Sequence, residues 1–226
     1  MQSSRPPSQA TWDQCCRQVP PSLLWSPLPL QPQTHTLPKA AEERMLSLYL
    51  ERARIPLDAH GLRILDLGCG WGSFSIFAAQ KLPNCSFLMI SNSAPQKLHI
   101  EARAANLGLR NITVKTRNVA TMEIDDEDRG AFDRIVSVEM MEHMKNYELL
   151  LQKVSQFLKP DGLLFIHIFT HARASYHFET EGAHNWMGRH FFTGGTQPLL
   201  PPLVLQPSIC SSKSLPLPLI VCPCRS

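Results

Sequence analysis

Short apolar runs alternate along the chain with longer segments in which apolar residues recur every three or four positions. Runs of four to eight β-branched, aliphatic or aromatic residues are typical of buried strands. Five such runs occur, in this order: LRILDLG, CSFLMIS, NITVKT, AFDRIVSV and LLFIHIFTH. The pattern therefore predicts at least five strands.

Helical spacing marks four other segments, namely PKAAEERMLSLYLERARI, SFSIFAAQKL, PQKLHIEARAANLG and YELLLQKVSQFLKPDG. In the first, Met45, Leu48, Tyr49 and Arg52 are predicted to share one face, and the last is predicted to end at Pro160. Strands that alternate with helices of this length imply right-handed crossovers and a parallel sheet. The sequence thus predicts an α/β, doubly wound fold.

Proline divides the chain into three parts. Residues 1–38 hold eight of the 19 prolines and residues 198–226 hold seven. Because each proline removes a backbone donor and fixes φ, we expect neither flank to build regular structure. The predicted organisation is a disordered segment at 1–35, one globular domain at 36–196 and a disordered tail at 197–226.

Composition narrows the function classes. The chain has 226 residues, 43% of them hydrophobic, and a net charge of +3, which is too mild to indicate a nucleic-acid partner. Its seven cysteines lack disulfide or zinc spacing, so we predict a reduced protein without a metal site. No apolar run reaches the roughly 20 residues that span a bilayer, and no secretory signal is evident. We therefore expect a cytoplasmic protein without a transmembrane segment.

A glycine-rich turn follows the first predicted strand. In LDLGCGWGS, Asp66 ends the strand, Gly68, Gly70 and Gly72 follow, and a helix begins directly afterwards. This could be a tight turn and nothing more, or a loop that lets a ligand approach the backbone at a helix N-terminus. The spacing G-x-G-x-G, rather than G-x-G-x-x-G, favours a compact ligand without a pyrophosphate.

The second strand ends in MISNSAPQK, without the carboxylate that often binds ribose hydroxyls. Asn92 and Gln96 are the hydrogen-bonding substitutes available there. Ser93 and Gln96 also fit a capping box at a helix start, and the two roles are compatible.

The fourth strand ends in VEMMEHMKNY, which places Glu139, Glu142 and His143 next to the glycine turn, because strands one and four are expected to be neighbours. Carboxylates attract a cation, and an imidazole can accept a proton near neutral pH, so the three residues could form an acid–base site. If a helical turn starts here, Glu139 and His143 share a face. Alternatively, Glu139 only complements the dipole of the following helix. His167 could join the site or be a core imidazole.

Five motifs, ILDLGCGWGS, SNSAPQK, VEMMEHMKNY, KPDGLLFIHIFTH and WMGRHFFTGGT, together resemble S-adenosylmethionine-dependent methyltransferases of the coclaurine N-methyltransferase and cyclopropane-fatty-acid synthase group. The resemblance implies a Rossmann-like class I methyltransferase fold and S-adenosyl-L-methionine as cofactor. It implies that Asp66 and the glycines hold the methionine part and that Asn92 and Gln96 hold the ribose. By the same resemblance, Asn118 and Val119 meet the adenine.

The likeness is nearer to the alkaloid branch, which implies N-methylation of a small amine with Glu139, Glu142 and His143 as the catalytic set. In the lipid-modifying branch, by resemblance, the acid–histidine pair holds a bicarbonate together with a residue matching His167. Methyl transfer or cyclopropanation on a lipid is therefore an alternative, and an inactive truncated form is another.

The ends of the chain depart from the family pattern. No helix or paired strand is predicted after FFTGGT, so the sheet is expected to lack its last two strands and to expose its fifth. Five further residues could line an aromatic pocket for an amine or could be ordinary core: His171, Tyr176, Trp186, Phe191 and Phe192.

Overall fold

A computed structural model describes residues 36–170, 176–177, 195–197 and 219–225. The chain divides into two units, Met1–Pro38 and Lys39–Ser226. The strands are β1 (Arg63–Leu67), β2 (Ser86–Ser91), β3 (Ile112–Thr116), β4 (Phe132–Val138), β5 (Leu158–Thr170), β6 (Tyr176–His177), β7 (Thr196–Gln197) and β8 (Leu219–Arg225). The helices are α1 (Thr36–Arg52), α2 (Ser73–Lys81), α3 (Ala94–Asn106) and α4 (Tyr147–Ser155), with 3₁₀ turns at Asp126–Asp128 and Met141–His143.

Six strands form one parallel sheet in the order β3-β2-β1-β4-β5-β8, and β6 and β7 form a separate antiparallel pair. The predicted α/β fold is confirmed, and β1 lies between β2 and β4 as the sequence implied. Within the described residues, no helix combines the length and the apolar character needed to cross a bilayer.

The edge of the sheet differs from the prediction. No strand was predicted after the fifth run, LLFIHIFTH, yet the structure has β6 and β7, and Leu219–Arg225 pairs with β5 from Leu164 to Thr170 in the parallel direction. The prediction of a disordered tail is therefore wrong for these seven residues. LIVCPCR is a strand-like apolar run whose Pro223 is tolerated because β8 lies at the sheet edge.

The two faces of the sheet bury alternate residues of each strand, as the two-residue period of β-structure requires. Leu65, Ile135 and Leu164 point to the face covered by α4. Ile64 and Phe165 point to the opposite face, where α1 and α2 pack. Both sides are thus covered, as is usual for a parallel sheet.

Two helix predictions need correction. The buried face of α1 consists of Leu46, Tyr49 and Leu50, whereas Met45 is exposed, so the predicted stripe was rotated by one residue. Helix α4 ends at Ser155, and Pro160 lies within β5 rather than at a helix stop. The periodicity of apolar residues predicts the presence of a helix more reliably than the residues at which it begins and ends.

A cluster of ion pairs stabilises the loop that follows β3. Lys115 Nζ lies 2.9 Å from Asp125, 2.9 Å from Glu127 and 2.8 Å from Asp128 carboxylate oxygens. Arg117 adds a second contact to Asp125 at 2.9 Å. The three carboxylates could surround a metal ion, but the lysine ammonium already lies among them and neutralises part of their charge.

Gly72, in the glycine-rich turn after β1, is closely packed. It has φ +83°, and a Cβ there would lie 2.9 Å from Ile100 Cγ1 and 3.0 Å from Met89 Cε. We expect Gly72→Ala to lower the free energy of unfolding by about 2–4 kcal/mol, from left-handed strain plus overpacking. Gly61→Ala is the control, because Gly61 has φ +72° with open space around its Cβ position. Urea unfolding should show a clearly smaller loss for the control, and equal losses would contradict the overpacking.

Candidate active site

The candidate site lies where β1 and β4 end, side by side, at the carboxyl edge of the sheet. β1 and β4 pair in register from Ile64–Arg134 to Asp66–Val136. The glycine turn leaves the sheet after β1, and the turn that carries Glu139 leaves it after β4. In parallel sheets this edge is where ligands bind.

The glycine turn is held by backbone bonds and has one open position. The N–H groups of Gly68 and Cys69 both donate to the carbonyl of Ile90, each at 3.0 Å. A Cβ at Gly68 would strike the side chain of Met140, whereas the Cβ position of Gly70 has nothing within 4 Å. Gly70, with φ +53°, therefore presents its backbone to open space, which is the geometry that a closely approaching ligand needs.

Asp66 lies beneath this turn and is 2% exposed. The hydroxyl of Ser75, in the first turn of α2, donates to Asp66 Oδ2 at 2.7 Å. Burial raises the pKa of Asp66 to about 7, and the bond from Ser75 offsets part of that rise. The carboxyl is thus poised to ionise near neutral pH.

The segment after β2 forms half of the predicted capping box. Ser93 Oγ accepts a hydrogen bond from the N–H of Gln96 at 3.5 Å, which caps α3. The reciprocal half is absent from this described segment, because Gln96 Oε1 accepts from Ser91 Oγ at 2.6 Å instead. Asn92 is exposed between them. A ribose role for Asn92 and Gln96 stays a prediction.

The loop after β3 carries the predicted adenine contacts. Asn118 is exposed, and its Oδ1 accepts from the N–H of Ala120 at 2.9 Å, so part of this side chain stabilises its own turn. Val119 is buried against the core. Lys153 Nζ, on α4, donates to the carbonyls of Val119 at 3.4 Å and Ala120 at 3.0 Å. The adenine role of both residues stays a prediction.

Glu139 does not begin a helical turn. Its φ is +51°, in the left-handed region, and the 3₁₀ turn starts only at Met141. The prediction that Glu139 and His143 share a helix face is therefore wrong, as is the alternative that Glu139 lies in a helix's first turn. Left-handed backbone costs a non-glycine residue on the order of 1 kcal/mol and is concentrated at functional sites.

The three predicted catalytic residues occupy different environments. Glu139 is half-buried, and burial raises the pKa of its carboxyl. His143 is exposed, and partial burial of its ring lowers its pKa. His143 lines a cleft of about 950 Å³ with residues 119–124 and α4, and the glycine turn contributes none of the described lining residues.

Glu142 is fully buried, and neither carboxylate oxygen has a hydrogen-bond partner within the part of the chain that the structure describes. Burial chiefly, with a smaller effect of the negative charge of Glu139, raises the pKa of Glu142 to about 7. The nearby N–H groups of Glu142 and Phe169 lower it only in part, since neither makes a bond of good geometry.

Sequence reasoning missed two contacts, one beside the turn that carries Glu142 and one on the turn itself. Tyr49, treated only as part of a helix face, brings its hydroxyl within 3.3 Å of His167 Nδ1. Gly195 packs against the carbonyl oxygen of Glu142, where a Cβ would overlap it. Both contacts join segments that are far apart in sequence, so no local sequence pattern predicts them.

Of the aromatic candidates, Tyr176 is described and exposed. The others lie outside the described residues: His171, Trp186, Phe191 and Phe192.

Comparison with known proteins identifies the family. A model of the mycolic acid cyclopropane synthetase family matches residues 26–210. The chain belongs to this family. An (S)-coclaurine N-methyltransferase from Papaver somniferum is 42% identical over 156 residues, which are 69% of this chain and 42% of that enzyme. A cyclopropane-fatty-acyl-phospholipid synthase from Escherichia coli (strain K12) is 27% identical over 162 residues, covering 71% of this chain and 38% of that enzyme.

A crystal structure of coclaurine N-methyltransferase bound to N-methylheliamine and SAH matches with a TM-score of 0.66 at 37% identity. The match covers 79% of this chain and 51% of that one. The resemblance inferred from the motifs and the Rossmann-like methyltransferase fold are therefore confirmed. The chain spans less than half the length of the curated relatives it matches.

The buried carboxyl of Glu142 predicts a pH-dependent stability. Its folded pKa of about 7 exceeds the ordinary 4.5, so its contribution to stability is complete below about pH 4.5 and is lost as pH rises to about 7. The unfolding free energy of Glu142→Gln, minus that of wild type, should therefore be larger at pH 8 than at pH 5 by about 2 kcal/mol. Urea unfolding measures it.

Glu148→Gln is the control, because Glu148 is exposed on the first turn of α4. Its unfolding free energy should follow that of the wild type at both pH values. If the unfolding free energies of Glu142→Gln and wild type changed equally with pH, burial of the Glu142 carboxyl would not raise its pKa as stated.

Proposed function

We propose that this chain carries the cofactor and proton-handling part of an S-adenosyl-L-methionine-dependent methyltransferase that acts on the nitrogen of a small amine. One observation carries the proposal. The open backbone at Gly70 and the carboxylate of Glu139 follow neighbouring parallel strands, in a chain 42% identical to an (S)-coclaurine N-methyltransferase.

The residues around the glycine turn fit the cofactor. A sulfonium cofactor supplies, when bound, an electrophilic methyl group with a neutral thioether as leaving group. The buried carboxyl of Asp66, once ionised, attracts the ammonium of the methionine part. The open backbone at Gly70 admits that part, Asn92 and Gln96 hold the ribose, and the turn at Asn118 and Val119 meets the adenine.

The acid–histidine turn handles the substrate's proton. A protonated amine has no lone pair, so it must lose a proton before its nitrogen forms a bond to carbon. The half-exposed carboxylate of Glu139 attracts and orients the ammonium group. His143 is neutral near pH 7, since its pKa is lowered, and its imidazole is then able to accept the proton. Glu142, buried in the same 3₁₀ turn, adds negative charge beside them when it is ionised.

A second candidate is methyl transfer or cyclopropanation on a lipid acyl chain. The match to a cyclopropane-fatty-acyl-phospholipid synthase over 71% of the chain favours it. Assays with labelled cofactor on (S)-coclaurine and on unsaturated phospholipid vesicles separate the two. Incorporation of label into the phospholipid alone would replace the amine proposal, and incorporation into neither would favour an inactive form. A cytoplasmic location belongs to the same proposal.

Cofactor binding should depend on pH through Asp66. In the free protein its pKa is about 7, and an ionised carboxylate favours a ligand that carries an ammonium. We expect the affinity for S-adenosylhomocysteine, measured by isothermal titration, to rise about tenfold from pH 6 to pH 8. Asp66→Asn should bind weakly and without that dependence.

Asp58→Asn, at an exposed site, is the matched control and should behave as wild type. A wild-type protein that binds no S-adenosylhomocysteine at millimolar concentration would overturn the cofactor assignment.

Loss of the imidazole should affect turnover and spare cofactor binding. We expect His143→Ala to lower kcat for (S)-coclaurine about 100-fold or more, the usual scale for a lost general base. Its affinity for S-adenosylhomocysteine should stay within about twofold, because the glycine turn does not depend on it. His60→Ala, an exposed histidine before β1, is the control. Unchanged turnover in His143→Ala would remove His143 from the mechanism.

A further inference from the structure

A buried pair of aromatic residues lies directly behind the turn that carries Glu139. Tyr49 of α1 is 6% exposed and His167 of β5 is 3% exposed. The Tyr49 hydroxyl lies 3.3 Å from His167 Nδ1, and the two ring centroids are 5.0 Å apart. The hydroxyl can donate to Nδ1 or accept from it, and in either case the bond fixes the orientation of the imidazole.

His167 in turn contacts Glu139 in two ways. The backbone N–H of Glu139 donates to the carbonyl of His167 at 2.9 Å. The Glu139 carboxylate Oε1 lies 3.9 Å from His167 Nδ1, beyond hydrogen-bond length but close enough for electrostatic interaction. The left-handed backbone of Glu139 is thus braced by the same residue whose ring faces its side chain.

The imidazole is held neutral at physiological pH. Burial and the positive charge of Arg52 lower the pKa of His167 to about 4. A neutral ring does not form a salt bridge with Glu139, so it leaves the carboxylate charge available to a cation. His167 therefore lies beside the Glu139 carboxylate, with Nδ1 of its ring 3.9 Å from Oε1, and it does not compensate the charge.

We infer that Tyr49 is a positioning residue for Glu139, acting through His167, and that it sets the affinity for the ammonium group of the substrate. The inference rests on the proposed function, because it takes Glu139 as the group that attracts the amine. Helix α1, which precedes every motif of the methyltransferase pattern, thereby contributes to the substrate half of the site. The cofactor half has no part in this contact.

Tyr49→Phe removes the hydroxyl and keeps the ring. The ring still packs against Phe165, 5.8 Å away, and Phe74, 6.5 Å away, so the variant should fold. We expect an increase of about tenfold in KM for (S)-coclaurine, a change in kcat of less than threefold and an unchanged affinity for S-adenosylhomocysteine. Ser47→Ala deletes an exposed hydroxyl that bonds Glu43 on the same helix and is the matched control.

Two spectroscopic readouts work without turnover. The imidazole nitrogen shifts of His167 and the carboxyl carbon titration of Glu139, measured by NMR with isotope labels, should both change in Tyr49→Phe and stay as wild type in Ser47→Ala. Unchanged shifts, or a KM within twofold of wild type, would overturn the inference. If the wild type methylates no amine but the Glu139 titration still moves, the proposed substrate fails while the positioning of Glu139 by Tyr49 stands.

Discussion

The pairing of β1 with β4 is the constraint on which the candidate site depends. Because the two strands are parallel and in register at Asp66 and Val136, the chain leaves the sheet at adjacent points after each of them. Both exits need left-handed backbone, at Gly68 with φ +82° and at Glu139 with φ +51°. Glycine adopts that conformation without steric cost, whereas Glu139 carries a side chain there, and its N–H donates to the carbonyl of His167 at 2.9 Å. The strained residue is thus the one that carries a carboxylate.

Two buried carboxyl groups at this edge of the sheet are partly protonated near pH 7. Asp66 and Glu142 both have pKa values raised to about 7, chiefly because they are removed from water. A cation bound beside such a group would favour its ionised form and release a proton. The proposed sulfonium cofactor and ammonium substrate are both cations of this kind, and a neutral resting acid avoids part of the cost of burying a carboxylate charge.

The parts of the structure that could be predicted from sequence are those encoded within a few residues. Strand–turn–helix order, the glycine turn and the position of the Glu142 turn follow from periodicity and spacing. The prediction of an α-turn at Glu139 was wrong because tertiary contacts with β5 overrode local helix preference. The Tyr49–His167 contact joins residues 118 positions apart. Strand β8 lies in a proline-rich segment, and it could not be recognised from that segment alone because its partner, β5, is distant in sequence.

The two halves of the site differ in what holds them. The proposed cofactor half is held by contacts among residues 66–153, with the glycine turn bonded to Ile90 and the loop after β3 held by Lys115 and Lys153. The substrate half depends on segments from both sides of the chain, Tyr49 before it and Gly195 after it. The proposed substrate half therefore needs more distant segments to dock than the proposed cofactor half does. If both roles hold, turnover of the amine should be more sensitive than cofactor binding to changes far from the turn that carries Glu139.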